Sequence, residues 1–90
     1  MTLHILISGV VQGVGYRNFA QKKARELEIT GSIRNLEDFR VEVYASAADM
    51  EFLNAFVSLL KIGPERARVD TVQTKIIPPK AFQDFVILRD

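Results

Sequence analysis

The ninety-residue chain has no cysteine and no tryptophan, a single histidine, three prolines and five glycines. Without cysteine, neither a disulfide framework nor a thiolate metal site can hold the fold together, so a hydrophobic core must. One histidine falls short of a conventional zinc site. That residue, His4, lies in an aliphatic run, which gives it a structural or edge-facing place on a strand. Long apolar runs are missing as well: nothing approaches the roughly eighteen apolar residues of a membrane-spanning helix. The apolar N-terminus lacks a basic leader and contains His4, Gly9, Gln12 and Gly13, so it reads as a strand and a loop. No charge sign dominates either, since 12 Lys/Arg against 11 Asp/Glu give a net charge of +1. A chain that holds a phosphodiester backbone carries a clustered basic footprint, and interspersed charges argue against a nucleic-acid partner.

What is present is an ordinary globular composition, 48% hydrophobic and 26% charged, which excludes intrinsic disorder. The length allows one domain, residues 1–90. A cysteine-free chain fits the cytoplasm. Residues 3–10 (LHILISGV) are almost continuously apolar, as in a strand enclosed by neighbours. They run into a glycine-bearing loop, Val11-Gln12-Gly13-Val14-Gly15. Tyr16, Ala20, Ala24 and Leu27 then recur at helical spacing and predict a helix over 17–28, with Gly31 as a stop signal.

Two short strands, 29–35 and 40–45, flank only four residues, Leu36 to Phe39, and predict a hairpin. In the second of them, Val41, Val43 and Ala45 alternate with Arg40, Glu42 and Tyr44. A helix follows over 48–62, with Ser46 and Asp49 at capping-box spacing and a stripe of Phe52, Leu53, Phe56, Val57 and Leu60. Gly63-Pro64 stops it. Residues 68–77 and 82–88 supply two more strands. The order βαββαβ plus a C-terminal strand predicts an α+β fold: the ferredoxin-like split-βαβ sandwich, with two helices on one face of a mostly antiparallel sheet. That architecture alone names no function.

Chemistry concentrates at Gln12-Gly13-Val14-Gly15-Tyr16-Arg17, between strand and helix. A glycine-bearing loop that opens a helix lets backbone N–H groups converge where the helix dipole is positive, which suits an anion. Arg17 adds a planar, permanently charged fork matched to phosphate oxygens. Read from the residues alone, two possibilities stand: a phosphate cradle, or a tight turn whose arginine pairs with a surface carboxylate.

Gly9-Val10-Val11-Gln12-Gly13-Val14-Gly15-Tyr16-Arg17 resembles the first signature of the acylphosphatase family, G-x-V-Q-G-V-x-[FY]-R. The stretch from Gly31 through Asn35 to Val41-Glu42-Val43 is similar to the second signature, and Gly63-Pro64, Ala67, Val69, Phe82, Phe85 and Ile87 fit the same pattern. The resemblance implies a hydrolase for acyl phosphates, releasing carboxylate and inorganic phosphate with neither metal nor cofactor. It implies that Gly13, Val14, Gly15, Tyr16 and Arg17 bind the phosphate group, and that the catalytic pair is Arg17 on phosphate and Asn35 on the attacking water. The chemistry is consistent with such residues. A carboxylate leaves without a proton from a general acid, phosphoryl transfer is mostly positioning plus charge stabilisation, and an asparagine can orient water although it cannot act as a base. The water's proton would pass to a substrate phosphate oxygen.

Three departures from the family pattern stand out. Asp38-Phe39 replaces Asp-Gly in the hairpin turn, and a positive φ at Phe39 would cost on the order of 1–3 kcal/mol. Ser32 stands where a large aromatic is common, and Ser46-Ala47 replaces Glu-Gly. The adjacent acids Glu37 and Asp38, and the basic run Lys22, Lys23 and Arg25, read as solvated surface. An alternative function is a non-catalytic phosphate-binding or anion-binding module of the same fold. An RNA binder of similar shape would want exposed aromatics on its central strands, where Tyr44 is the lone candidate. A monomer without nucleic-acid or membrane partners is expected.

Overall fold

The computed structural model describes residues 1–89. Side-chain alternation along the first strand, β1 (Thr2–Val10), sets the layers: Leu3, Ile5 and Ile7 are buried, while His4, Leu6 and Ser8 are half-buried on the other face. The helices α1 (Tyr16–Glu26) and α2 (Met50–Ile62) bury Tyr16, Ala20 and Ala24, and Leu53, Phe56 and Leu60, in one cluster with these residues. The strands β2 (Thr30–Asn35) and β3 (Val41–Ser46) contribute Ile33, Val41, Val43 and Ala45 to that cluster. With β4 (Arg68–Ile77) and β5 (Phe85–Ile87), the sheet order is β4-β1-β3-β2-β5. All pairings are antiparallel except β2 with β5. Two helices on a mostly antiparallel five-stranded sheet is the α+β, ferredoxin-like arrangement that the element order predicted.

Four local expectations need correction. The capping box does not form: Ser46 ends β3, where its hydroxyl pairs with Thr2 Oγ1 at 2.7 Å and donates to the Lys80 carbonyl at 2.9 Å. Asp49 is the N-cap of α2 and makes no side-chain cap bond. Phe52 is 46% exposed, because the buried stripe of α2 narrows to Leu53, Phe56 and Leu60. The last strand shrinks from seven predicted residues to Phe85–Ile87. Residues just before it cross the open face of the sheet instead, with the Lys80 ammonium 4.4 Å from the Tyr44 ring centroid. His4 is structural but not edge-facing, since β1 is flanked on both sides and its Nε2 lies 2.8 Å from Glu42 Oε2. Burial works to raise the Glu42 carboxyl, but hydrogen bonds from His4 and Arg34 outweigh it and hold the group below the usual range.

The sheet order brings the C-terminal end of β1 and the ends of β2 and β5 to one side of the molecule. Ile7 lies opposite Val41, and Val41 opposite Asn35. Ile33 pairs with Ile87, and the ladder runs on through a Leu88 N–H to Ile33 carbonyl bond of 2.9 Å. Side chains hold β5 to α1 as well. Gln21 Nε2 donates to the Phe85 carbonyl at 2.9 Å, and Arg25 forks onto Asp84 at 2.9 and 3.3 Å.

Candidate active site

Between β1 and α1 the chain turns through two left-handed residues, Gly13 (φ 73°) and Gly15 (φ 79°). A Cβ at either position would meet nothing within 4 Å, so it is backbone conformation and not crowding that demands glycine there. Gly15 is the N-cap of α1 and has no side chain to bond the first-turn amides, and that turn holds no acidic residue. An uncapped helix start of this kind can turn its N–H groups toward an anion.

Tyr16 anchors the turn. Its ring is fully buried, and its hydroxyl donates to the Leu60 carbonyl at 2.7 Å. Burial pushes the phenol pKa up, so the group stays neutral. Arg17 follows, half-buried, and forms no ion pair among the described residues. The surface salt bridge left open by the residue pattern is therefore not what occupies it.

Gly13, Gly15, Tyr16 and Arg17 line a cleft of about 180 Å³ whose other wall carries Ile87 and Arg89. This is smaller than the few hundred Å³ of pockets for drug-sized ligands, and suits a phosphate with little more. Val14, expected in the phosphate set, is not a lining residue; its side chain packs against the core. The described lining holds two guanidinium groups and no carboxylate.

Asn35 ends β2 and lines a neighbouring surface hollow with Leu36, Glu37 and Asp38 instead of the cleft itself. Its Oδ1 is buried and has no hydrogen-bond partner among the described residues, an arrangement that costs about 1–3 kcal/mol unless a donor is supplied. Gln12 links the two regions: its Nε2 donates to the carbonyls of Leu36 at 2.9 Å and Arg40 at 3.0 Å. The glycine loop is thus tied to the turn that follows Asn35.

Sequence reasoning missed Gln12 as a tether and Arg89 as a lining residue. Only the period-2 run Phe85, Ile87, Arg89 could have put the arginine on the helix-covered side. No group of three or more His, Asp or Glu side chains is placed to hold a metal among the described residues. No helix there is long and apolar enough to cross a membrane.

A family model described as acylphosphatase matches residues 3–87. The chain belongs to the acylphosphatase family. It is 47% identical over 83 residues to an acylphosphatase of Marinobacter nauticus, covering 91% of this chain and 89% of that one. An acylphosphatase of Deinococcus radiodurans is 44% identical over 87 residues, covering 97% and 99% of the two chains. The crystal structure of acylphosphatase from Bacillus subtilis superposes with a TM-score of 0.93 at 29% identity, covering 98% of each chain.

Proposed function

We propose that this member of the acylphosphatase family hydrolyses the carboxyl–phosphate bond of small acyl phosphates, giving carboxylate and inorganic phosphate. The observation that carries the reading is the cleft at the start of α1, where Gly13, Gly15 and Arg17 face one phosphate-sized space. The amides from Gly13 to Arg17, Val14 included, and the Arg17 guanidinium bind the phosphate. They stabilise the charge that spreads over its equatorial oxygens in a loose transition state. The leaving carboxylate is a weak base and needs no general acid.

Asn35 positions the attacking water. What supports this role is that Asn35 ends β2 beside the turn that Gln12 ties to the glycine loop, and that a side-chain amide can hydrogen-bond a water and so fix the direction of the nucleophile. Asn35 does not titrate near neutrality, so the proton released by the water passes to a phosphate oxygen of the substrate. A cleft of this size grips the phosphate and leaves the acyl group outside, which makes the activity permissive toward acyl structure. The proposed working unit is a cytoplasmic monomer without a cofactor, in keeping with the cysteine-free composition.

Hydrolysis of benzoyl phosphate by the purified chain, with a chelator present, tests the reading. Turnover under those conditions supports it. A folded chain that binds inorganic phosphate yet leaves benzoyl phosphate intact would replace it with the anion-binding module.

A further inference from the structure

Arg89 lies in no recognised motif, yet it shares the cleft with Arg17. The two arginines approach from different elements, Arg17 from the first turn of α1 and Arg89 from the segment just past β5. The backbone that leads to Arg89 is held by two bonds. Leu88 donates to the Ile33 carbonyl at 2.9 Å, and Phe85 accepts from Gln21 on the same helix that carries Arg17. Strand alternation puts Arg89 on the side of Phe85 and Ile87, facing α1.

Two guanidinium groups in one small cleft repel each other, and the described lining offers no carboxylate to offset them. A cleft whose described charges are both positive and whose walls are of low dielectric focuses the field on whatever anion enters. We infer that Arg89 is a second phosphate-binding arginine, which grips from the β5 wall the same phosphate that the loop and Arg17 hold from α1. This rests on the phosphate site proposed above and adds a residue to it. The phosphoryl group has enough equatorial oxygen to accept from both sides, and planar guanidinium forks suit it.

Inorganic phosphate is the probe, with its affinity measured by calorimetry and by competitive inhibition of benzoyl phosphate hydrolysis. Arg89→Ala should weaken phosphate by about tenfold, a partly exposed charged hydrogen bond being of that order. Arg89→Lys should recover part of the loss by restoring the charge without the fork, and the loss should shrink as salt rises. Lys75→Ala, opposite His4 at the far end of β1, should leave phosphate affinity as it was.

Unchanged phosphate affinity in Arg89→Ala overturns the inference, as does an equal loss from Lys75→Ala, which would reveal only a general field. Selective loss on acyl phosphates that bear a carboxylate, with phosphate affinity intact, also overturns it in favour of acyl recognition. A wild-type chain that neither binds phosphate nor hydrolyses benzoyl phosphate sinks the functional reading itself. A wild-type chain that does both, matched by Arg89→Ala, sinks only the second arginine.

Discussion

Two turns flank the candidate site, and both need left-handed backbone. The loop between β1 and α1 meets that need with Gly13 and Gly15, at φ 73° and 79°. The turn between β2 and β3 meets it with Phe39, at φ 72°, whose ring is 75% exposed and so returns little through burial. The first turn is unstrained, and its amides are free to face a ligand. The second is held by neighbours: Leu36 N–H to the Arg40 carbonyl at 2.8 Å, and Arg40 Nε to Asp38 Oδ2 at 2.8 Å. Backbone that touches a ligand must be free to adopt one shape without cost. Backbone that only carries Asn35 to its place can bear strain, provided that something else fixes it. Gln12 is that fixture, bonded across to Leu36 and Arg40.

The largest expected effect separates the two turns by function. Arg17→Ala removes the only side-chain cation of the loop and should lower kcat/KM for benzoyl phosphate by roughly 10³-fold, with phosphate affinity falling too. Asn35→Ala should lower kcat by roughly 10²-fold while phosphate still binds, because it loses the orientation of the water and not the cradle. Steady-state kinetics with phosphate titration distinguishes these patterns. If Asn35→Ala weakened phosphate as much as Arg17→Ala does, the division between a binding turn and a positioning turn would be broken.

Gln12→Leu comes next, since it keeps much of the side-chain volume and deletes both cross-links. Two half-buried carbonyls then lose a donor, which should destabilise the fold by about 1–2 kcal/mol. Turnover should fall by about tenfold as Asn35 drifts relative to the cradle. Denaturant unfolding measures the first effect and kcat the second. A stability loss with kcat untouched would mean that Gln12 braces the hairpin without serving the site.

Much of this was legible in the residues, for reasons that differ along the chain. β1, β3 and α1 announce themselves because burial on one face imposes a period, as in Val41, Val43 and Ala45. The loop could be read because a left-handed turn that opens a helix calls for glycine, and Arg17 beside it is what suggests the phosphate role proposed above. The capping box misled because Ser46 has a tertiary partner, Thr2, which competes with the local bond. Phe52 misled because a helical stripe of five apolar residues is wider than the surface available to it. Arg89 was invisible because its place in the cleft depends on β5 pairing parallel with β2, a contact between residues more than fifty positions apart.

The strain assigned to the hairpin is testable by relieving it. Phe39→Gly should stabilise the protein by about 1 kcal/mol: glycine removes a left-handed penalty of about 1–2 kcal/mol, and greater freedom of the unfolded chain offsets part of the gain. For a chain of this length that is a rise in Tm of roughly 4–8 °C. Activity should hold or rise slightly, because Gln12 already sets the turn's position. No gain in Tm would break the comparison between the free turn and the strained one.

The smallest effect is acid sensitivity, which of these two turns only the hairpin should show. The loop from Gln12 to Arg17 has no carboxylate, whereas the turn depends on Asp38, whose Oδ1 accepts from the Arg40 N–H at 3.2 Å. That backbone bond, followed by the Arg40 guanidinium, holds the Asp38 carboxyl below its ordinary range. A carboxyl depressed in the folded state adds stability above its unfolded pKa, about 3.9, and loses it as the pH falls through the lower folded value. Asp38 is fully exposed, so the amount is small and salt-sensitive. A carbon-detected titration should place the Asp38 midpoint below that of an unpaired aspartate, and Arg40→Ala should move it only part of the way back, because the N–H of residue 40 remains. Full restoration by Arg40→Ala would make the guanidinium the dominant cause. The hairpin would then be held by a screened surface ion pair and not by its own backbone.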